Sequence, residues 1–334
     1  MKLSISPPAL LSDHARVTVN LQAVAAGVGL LLLFGALWAF LLFASPNLAG
    51  NDDYFHIKFA QVMREQGLRP NFIWLPLTIL NANSYADHHF LYHVLLIPFA
   101  TSNLIIGAKW SVIVFSSLAF WMGWLLLRGQ NVPYAALWAL GFFALSDAFL
   151  YRLSMTRVQG VSLLLLLLAL HLLLTRRHGW LLPLAFAYTW LYDAFPLFLG
   201  VVTIYVAIMA LFERRLLWRP LVLSLLGVGL GLLINPYFPF NVIFVYHHYL
   251  PKIVDIGAAD IEVGNEWYAY STWALVKNSG PTLVVLLAGS LALGLHNRRM
   301  EPATAVLFFV TLFFGALLFK SRRFIEYFPA FALL

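Results

Sequence analysis

The stretch LQAVAAGVGLLLLFGALWAFLLF, residues 21–43, contains no charged side chain. Its length matches the ~20 apolar residues with which an α-helix crosses ~30 Å of hydrocarbon. No cleavage site of small residues follows it, so it is predicted to be a retained membrane anchor rather than a removed signal peptide. The solvent around this part of the chain is therefore expected to be lipid.

The rest of the 334 residues have the same character. The chain is 62% hydrophobic and 10% charged, and further apolar runs such as 110–127 and 302–319 do not alternate with polar residues, which favours helices over a β-barrel. We predict one domain, 1–334: an all-α polytopic transmembrane helix bundle of about 9 to 11 spans. The spans are predicted near 21–43, 108–127, 132–149, 157–174, 180–194, 196–212, 220–234, 281–296 and 302–319, with a short apolar segment from 324 that predicts a truncated carboxyl end.

The charges predict the orientation of the bundle. Short connections carry Arg128, the pair at 176–177, the group at 214–219 and the pair at 298–299, which places them in the cytoplasm together with the amino terminus. The net charge of +7 is thus a topology signal, which argues against a nucleic-acid partner. We expect an integral protein of a bacterial or archaeal inner (plasma) membrane. Cysteine is absent, which excludes disulfides, thiolate metal sites and cysteine nucleophiles.

Two non-cytoplasmic loops, 44–107 and 235–280, are long enough to carry function. In the first, Asn51 to Gly67 is predicted to form an amphipathic helix on the membrane surface, capped by Asn51 or Asp52 and ended by Gly67. His89 to Phe99 is predicted to form a second interfacial helix. The apolar stripe of the first helix consists of Phe55, Phe59, Val62 and Met63.

Acids, histidines and arginines collect on the non-cytoplasmic side. For any single residue, a role in the polar belt at the membrane interface is the simpler interpretation, but the collection favours a site. Asp52 and His56 share a helix face, whereas Asp53 is rotated by about 100°. One of the two acids is therefore expected to take part in the chemistry, and the other to cap the helix or to interact with its dipole in the first turn.

Further side chains suit cation or anion binding. His89 and His93 follow Asp87 at a spacing that suits a divalent cation, although interfacial packing explains them equally well. Arg152 and Arg157 are predicted to pair with Asp147 or with an anionic ligand. Asp193 precedes a proline break, and a structural pairing with an arginine is its alternative role.

The stretch NDDYFHIKFAQVMREQG, from Asn51, resembles the first outer-loop motif of the GT-C glycosyltransferase superfamily. It is most similar to the catalytic subunit of oligosaccharyltransferase, with Asp52, Tyr54, Phe55 and Gly67 at matching spacing and Trp74 where that family often has tryptophan. The lipid A aminoarabinose transferases have a similar acid-led helix. The resemblance implies that Asp52 belongs to an active site.

The likeness to oligosaccharyltransferase is partial. The loop after the third span has one acid, Asp147, where that family has an acidic pair, and the Trp-Trp-Asp element is missing. Sequon-directed protein glycosylation is therefore not expected. The specific similarity covers roughly 25 residues, and the similarity of architecture extends over the whole chain.

The sequence thus predicts a glycosyltransferase, inverting in stereochemistry, that moves a sugar from a polyprenyl-phosphate donor to a glycan, lipid or protein acceptor outside the cytoplasm. A divalent cation, Mg²⁺ or Mn²⁺, is the predicted cofactor. The predicted catalytic acids are Asp52 and Asp53; the predicted substrate-binding residues are Arg152, Arg157, Asp193, Arg322, Arg323 and Glu266; and the predicted metal ligands are Asp52, His56, Asp147, His88 and His89.

A transporter or flippase of lipid-linked sugars is the alternative function. Transporters usually place ionisable groups near the middle of the membrane, on broken helices in related halves. Here the ionisable groups cluster at one end of the predicted spans, and the sequence has no internal repeat. This distribution favours an enzyme.

Overall fold

The computed structural model describes residues 21–75, 77, 83–254, 264–295 and 300–334. Those residues form helices and connections, with no strand among them, so the all-α prediction is confirmed for this part of the chain. The helices are α1 (Leu21–Phe43), α2 (Asn51–Gln66), α3 (Phe90–Leu96), α4 (Leu104–Gly129), α5 (Ala135–Leu140), α6 (Asp147–Leu153), α7 (Gln159–Leu174), α8 (Leu181–Leu191), α9 (Phe195–Glu213), α10 (Trp218–Leu233), α11 (Phe240–Val254), α12 (Thr272–Leu295), α13 (Pro302–Lys320) and α14 (Phe328–Leu333).

Five of the described helices, α1, α4, α9, α12 and α13, are long and apolar enough to cross a membrane. A sixth span is possible where α5, with the 3₁₀ turn that follows it, meets α6 at a bend of 92°. The helices α7 and α10, at 16 residues each, and the 11-residue α8 are shorter than a typical span. The fold is compatible with an integral membrane protein, and the count of about 9 to 11 spans stays a prediction.

The helices associate through aromatic packing and close approach at glycine. The rings of Phe34 and Trp38 on α1 lie 5.9 and 5.5 Å from that of Phe120 on α4, and all three side chains are fully buried. On α10, a Cβ atom at Gly227 would lie 2.3 Å from the carbonyl oxygen of Leu182. Only glycine permits this separation of α8 and α10, which is typical of helix packing in lipid.

The two predicted helices of the first long loop are present. The first, α2, begins after Gly50, whose N–H donates to Asp53 Oδ2 at 2.9 Å. The prediction of Asn51 or Asp52 as the cap was wrong, because the side chain of Asp53 reaches back to the helix start. Gly67 ends the helix as predicted, with a φ of 96°. The second helix is α3 with the 3₁₀ turn at Ile97–Phe99.

The predicted apolar stripe of α2 is buried at Phe59, Val62 and Met63, whereas Phe55 remains 42% exposed. Several sequence predictions concern residues outside the described part of the chain. These are the basic amino terminus before residue 21, the pair at 298–299, and residues 255–263 of the second long loop.

Arginine residues lie near both ends of helix α7. Arg176, just beyond its carboxyl end, pairs with Glu213 and belongs to the connections predicted to be cytoplasmic. Arg157, just before its amino end, belongs to the predicted non-cytoplasmic face. Arg176 and Arg157 therefore lie at opposite ends of α7.

Candidate functional site

Three arginine side chains converge on the carboxylate of Glu266. Its Oε2 atom lies 2.9 Å from a terminal guanidinium nitrogen of Arg152 and 3.3 Å from one of Arg157. Its Oε1 atom lies 3.1 Å from Arg323. Further carboxylates pair with two of these arginines. We define the Glu266 cluster as Asp52, Arg152, Arg157, Glu266, Arg323 and Glu326.

Five chain segments build this cluster, and the first of them is the start of α2 with Asp52. Arg152 lies in the last turn of α6, Arg157 in the connection to α7, and Arg323 in the 3₁₀ turn that follows α13. The segment with Glu266 is held against that turn because Ser321 Oγ donates to the Glu266 carbonyl at 2.8 Å. The cluster is thus tied to the ends of the helices that the apolar sequence produces.

Arg322 reinforces the same junction. Its backbone N–H donates to the Tyr268 carbonyl at 3.0 Å, and its guanidinium donates to the carbonyls of Tyr268 and Ala269 at 3.2 and 3.1 Å. Arg322, predicted to bind phosphate, therefore anchors backbone in this structure, whereas its neighbour Arg323 contacts Glu266.

The charges of the cluster balance formally, with three guanidinium groups and three carboxylates. Burial disfavours the charged form of Glu266, but the three surrounding guanidinium groups outweigh this effect and lower its pKa. Glu266 is therefore an ionised carboxylate at neutral pH. It occupies a position where three cations would also accept another anion.

Arg152 has a second partner that the sequence did not predict. Its Nε atom donates to Glu326 Oε1 at 2.6 Å, and the side chain of Glu326 is completely buried. The predicted pairing of Arg152 and Arg157 with Asp147 was wrong, because their partners are acids brought in from distant segments. Glu326 lies one turn after Arg323, beside an apolar helix end. An acid in such apolar surroundings was the sequence signal from which a buried ion pair could have been predicted.

The adjacent acids Asp52 and Asp53 have opposite surroundings. The carboxylate of Asp52 is 60% exposed and pairs with Arg157. Asp53 is buried and caps α2, and burial raises its pKa to about 6 although N–H groups of Gly50 and Thr156 oppose this shift. The expectation that one of the two acids caps the helix is confirmed, and Asp53 is that acid.

A chain of hydrogen bonds joins Asp87, His93 and His56. The Nδ1 atom of His93 lies 2.7 Å from Asp87 Oδ2, and its Nε2 atom lies 2.8 Å from His56 Nδ1. A carboxylate only accepts, so His93 donates from Nδ1 to Asp87, whereas the tautomers decide which ring nitrogen donates between His93 and His56.

The surroundings of His56 keep its ring neutral. Burial, followed by the nearby His93, holds the pKa of His56 well below its usual value. Although His56 lies one helical turn from Asp52, its ring is buried against α3 whereas the Asp52 carboxylate is largely exposed. The two therefore do not present one common surface.

The histidines and the Glu266 cluster meet at Tyr192. The ring of His89 stacks on that of Tyr192 at 5.3 Å, and the Tyr192 hydroxyl accepts a hydrogen bond of 2.6 Å from Arg323. Asp193, the next residue, has Oδ2 3.4 Å from His248 Nε2. The end of α8 thus links both groups, although the sequence singled out only Asp193.

The five predicted metal ligands do not converge on one point. Asp52 pairs with Arg157, His88 stacks on Phe244, and Asp147 lines a separate cavity. Among the residues that the structure describes, no group of three or more His, Asp and Glu side chains is arranged to hold a metal ion. The dependence on Mg²⁺ or Mn²⁺ stays a prediction.

Comparison with protein-family models gives no match. Comparison with curated protein sequences gives no significant match either. The geometry of the Glu266 cluster and the resemblance of the α2 motif are therefore the grounds on which a function is proposed.

Proposed function

We propose that this chain is a membrane glycosyltransferase that moves a sugar from a polyprenyl-phosphate carrier to an acceptor on the non-cytoplasmic side. The observation that carries the proposal is the convergence of three guanidinium groups on one carboxylate, with Asp52 attached to the same arrangement through Arg157. An anion site beside a partly exposed carboxylate contains the two elements that such a transfer requires.

The anion that suits this site is a phosphate. Guanidinium groups match phosphate oxygens with paired N–H donors, and three of them offer more donors than one carboxylate can use. Glu266 thus occupies the phosphate site while no donor is bound. Its replacement by phosphate leaves the formal charge of the cluster close to balance.

The reaction follows from the same contacts. When phosphate draws Arg157 towards itself, the carboxylate of Asp52 loses its ion-pair partner and becomes available to accept the proton of an acceptor hydroxyl. The hydroxyl oxygen forms a bond to the anomeric carbon while the bond from that carbon to the phosphate oxygen breaks. The arginines stabilise the negative charge on the departing phosphate, so no strong general acid is needed. Attack from the face opposite the phosphate inverts the anomeric centre.

The surroundings suit an amphiphilic donor. The cluster lies at the ends of α2, α6, α7 and α13, where an apolar tail would pass between helices while the phosphate remains at the interface. We place the site on the non-cytoplasmic face of a bacterial or archaeal plasma membrane, in a bundle of about 9 to 11 spans, as the sequence pattern predicts.

One observation favours the alternative, a transporter of lipid-linked sugars. The bend of 92° between the α5 segment and α6 resembles the broken helices on which transporters bind their substrates. Arg152 lies on the bent helix, but its partners belong to the cluster at the helix ends. The transferase remains the better-supported function.

The experiment that separates the two functions follows the sugar–phosphate bond. Purified protein in liposomes receives a polyprenyl-phosphate sugar labelled in the sugar, together with an extract of acceptors. A transferase releases unlabelled polyprenyl phosphate and labelled product. Movement of intact donor across the bilayer, without release of carrier, identifies a transporter.

A further inference from the structure

A cavity of about 310 Å³ lies between α1, α4 and α6, apart from the Glu266 cluster. Much of its wall is apolar, with Leu41, Leu42, Leu48 and Leu150 among the lining residues. Leu41 is also 41% exposed on the outer surface of α1, and α1 is a candidate membrane span. The cavity thus adjoins the surface that we expect to face lipid.

Two opposite charges line this cavity without pairing. Lys109 and Asp147 both contribute to its wall, yet neither forms an ion pair with any residue that the structure describes. Lys109 is only 4% exposed. Its ammonium group donates to the Ser45 carbonyl and lies 5.3 Å from the centre of the Phe43 ring. An ammonium group has three N–H donors. A buried ammonium group with a single hydrogen-bond acceptor is therefore expected to bind a further acceptor.

We propose that this cavity binds the headgroup of a zwitterionic phospholipid that carries a primary amine, of the phosphoethanolamine type. The phosphate oxygens accept from Lys109, and the ammonium group of the lipid donates to Asp147. The acyl chains leave along the leucine wall towards the membrane. This assignment does not depend on the glycosyl transfer proposed above.

The charge pattern selects among common lipids. An anionic lipid such as phosphatidylglycerol pairs with Lys109 but brings no cation to Asp147. A choline headgroup brings a cation whose nitrogen carries no hydrogen, so it cannot donate a hydrogen bond to the carboxylate. A headgroup with both a phosphate and an N–H cation complements both the buried Lys109 and the exposed Asp147.

The test is native mass spectrometry of the full chain in detergent, with phosphatidylethanolamine, phosphatidylglycerol and phosphatidylcholine of identical acyl chains added in turn. Wild-type protein should retain phosphatidylethanolamine about tenfold better than the other two, the factor expected for one hydrogen bond between charged groups. Asp147→Asn should abolish this preference but still bind phosphatidylglycerol. Lys109→Gln should weaken all three lipids.

Lys320→Gln, at the exposed end of α13, is the control for loss of a positive charge and should retain the wild-type preference. Lys109→Arg, which keeps the charge, should retain most of the binding and guards against a folding defect in Lys109→Gln. Equal retention of the three lipids by wild-type protein would overturn the proposal. A preference that survives Asp147→Asn would overturn it as well.

Discussion

Arg157 pairs with Asp52, a residue 105 positions away in the chain. This contact joins the start of α7 to the first turn of α2. It connects the one acid that the sequence motif singles out to the three guanidinium groups around Glu266. The acid and the anion site are thus parts of a single arrangement.

Removal of the Glu266 carboxylate should strengthen phosphate binding. Glu266→Gln keeps the size of the side chain but no longer competes as an anion, so the apparent affinity for polyprenyl phosphate should rise by about tenfold or more. Microscale thermophoresis of the purified protein measures it. Glu213→Gln is the matched control, because Glu213 pairs with Arg176 and Arg215 at the opposite end of α7. Weaker binding by Glu266→Gln would show that this carboxylate helps to hold the donor.

Arg152 should matter for folding as well as for binding. Its loss in Arg152→Met leaves the buried Glu326 carboxylate without its ion-pair partner, which typically costs about 3–5 kcal/mol. The thermal midpoint in detergent should fall sharply, and Arg152→Met combined with Glu326→Met should recover much of the loss. Arg176→Met, which breaks a partly exposed pair, should change the midpoint little. A double variant no more stable than the single one would refute this account.

These interactions mark the limit of what the sequence predicts. The apolar helix at 21–43, the helix end at Gly67 and the two helices of the first long loop depend on neighbouring residues, and local pattern was sufficient to find them. The contacts of Glu266 and Glu326 join residues that are 109 and 174 positions apart. No local period carries that information. The sequence therefore offered only Asp147, the acid nearest in sequence, or an anionic ligand as the partner of Arg152.

The pKa of Asp53 should make stability depend on pH. Its usual value is 3.8, and burial raises it to about 6. Between these values the folded chain holds a proton that the unfolded chain has lost, so this residue's contribution to stability falls as pH rises and is lowest above pH 6. Asp53→Asn keeps an oxygen for the Gly50 N–H and removes the titration. Its thermal midpoint should exceed that of the wild type at about pH 7.5, and the gap should close near pH 4. A gap that is constant with pH would contradict the raised pKa.

The side of the membrane can be tested with single cysteines, because the natural chain has none. Asn83→Cys lies in the first long loop and should react with an impermeant thiol reagent in intact cells. Gly179→Cys is the inner-side counterpart, because a Cβ atom there meets open space, and it should react only after lysis. The reverse pattern would invert the topology.

The transferase function is tested most directly by donor cleavage in wild-type, Asp52→Asn and Asp53→Asn proteins. Each purified protein receives labelled polyprenyl-phosphate sugar and acceptor, and both retained donor and glycosylated product are measured. We expect product from the wild type, a loss of at least ~10²-fold in Asp52→Asn with donor still bound, and a much smaller loss in Asp53→Asn. Equal losses in the two variants would refute only the choice of Asp52 as base. A wild-type protein that carries donor across the liposome membrane and never breaks the sugar–phosphate bond would contradict the account.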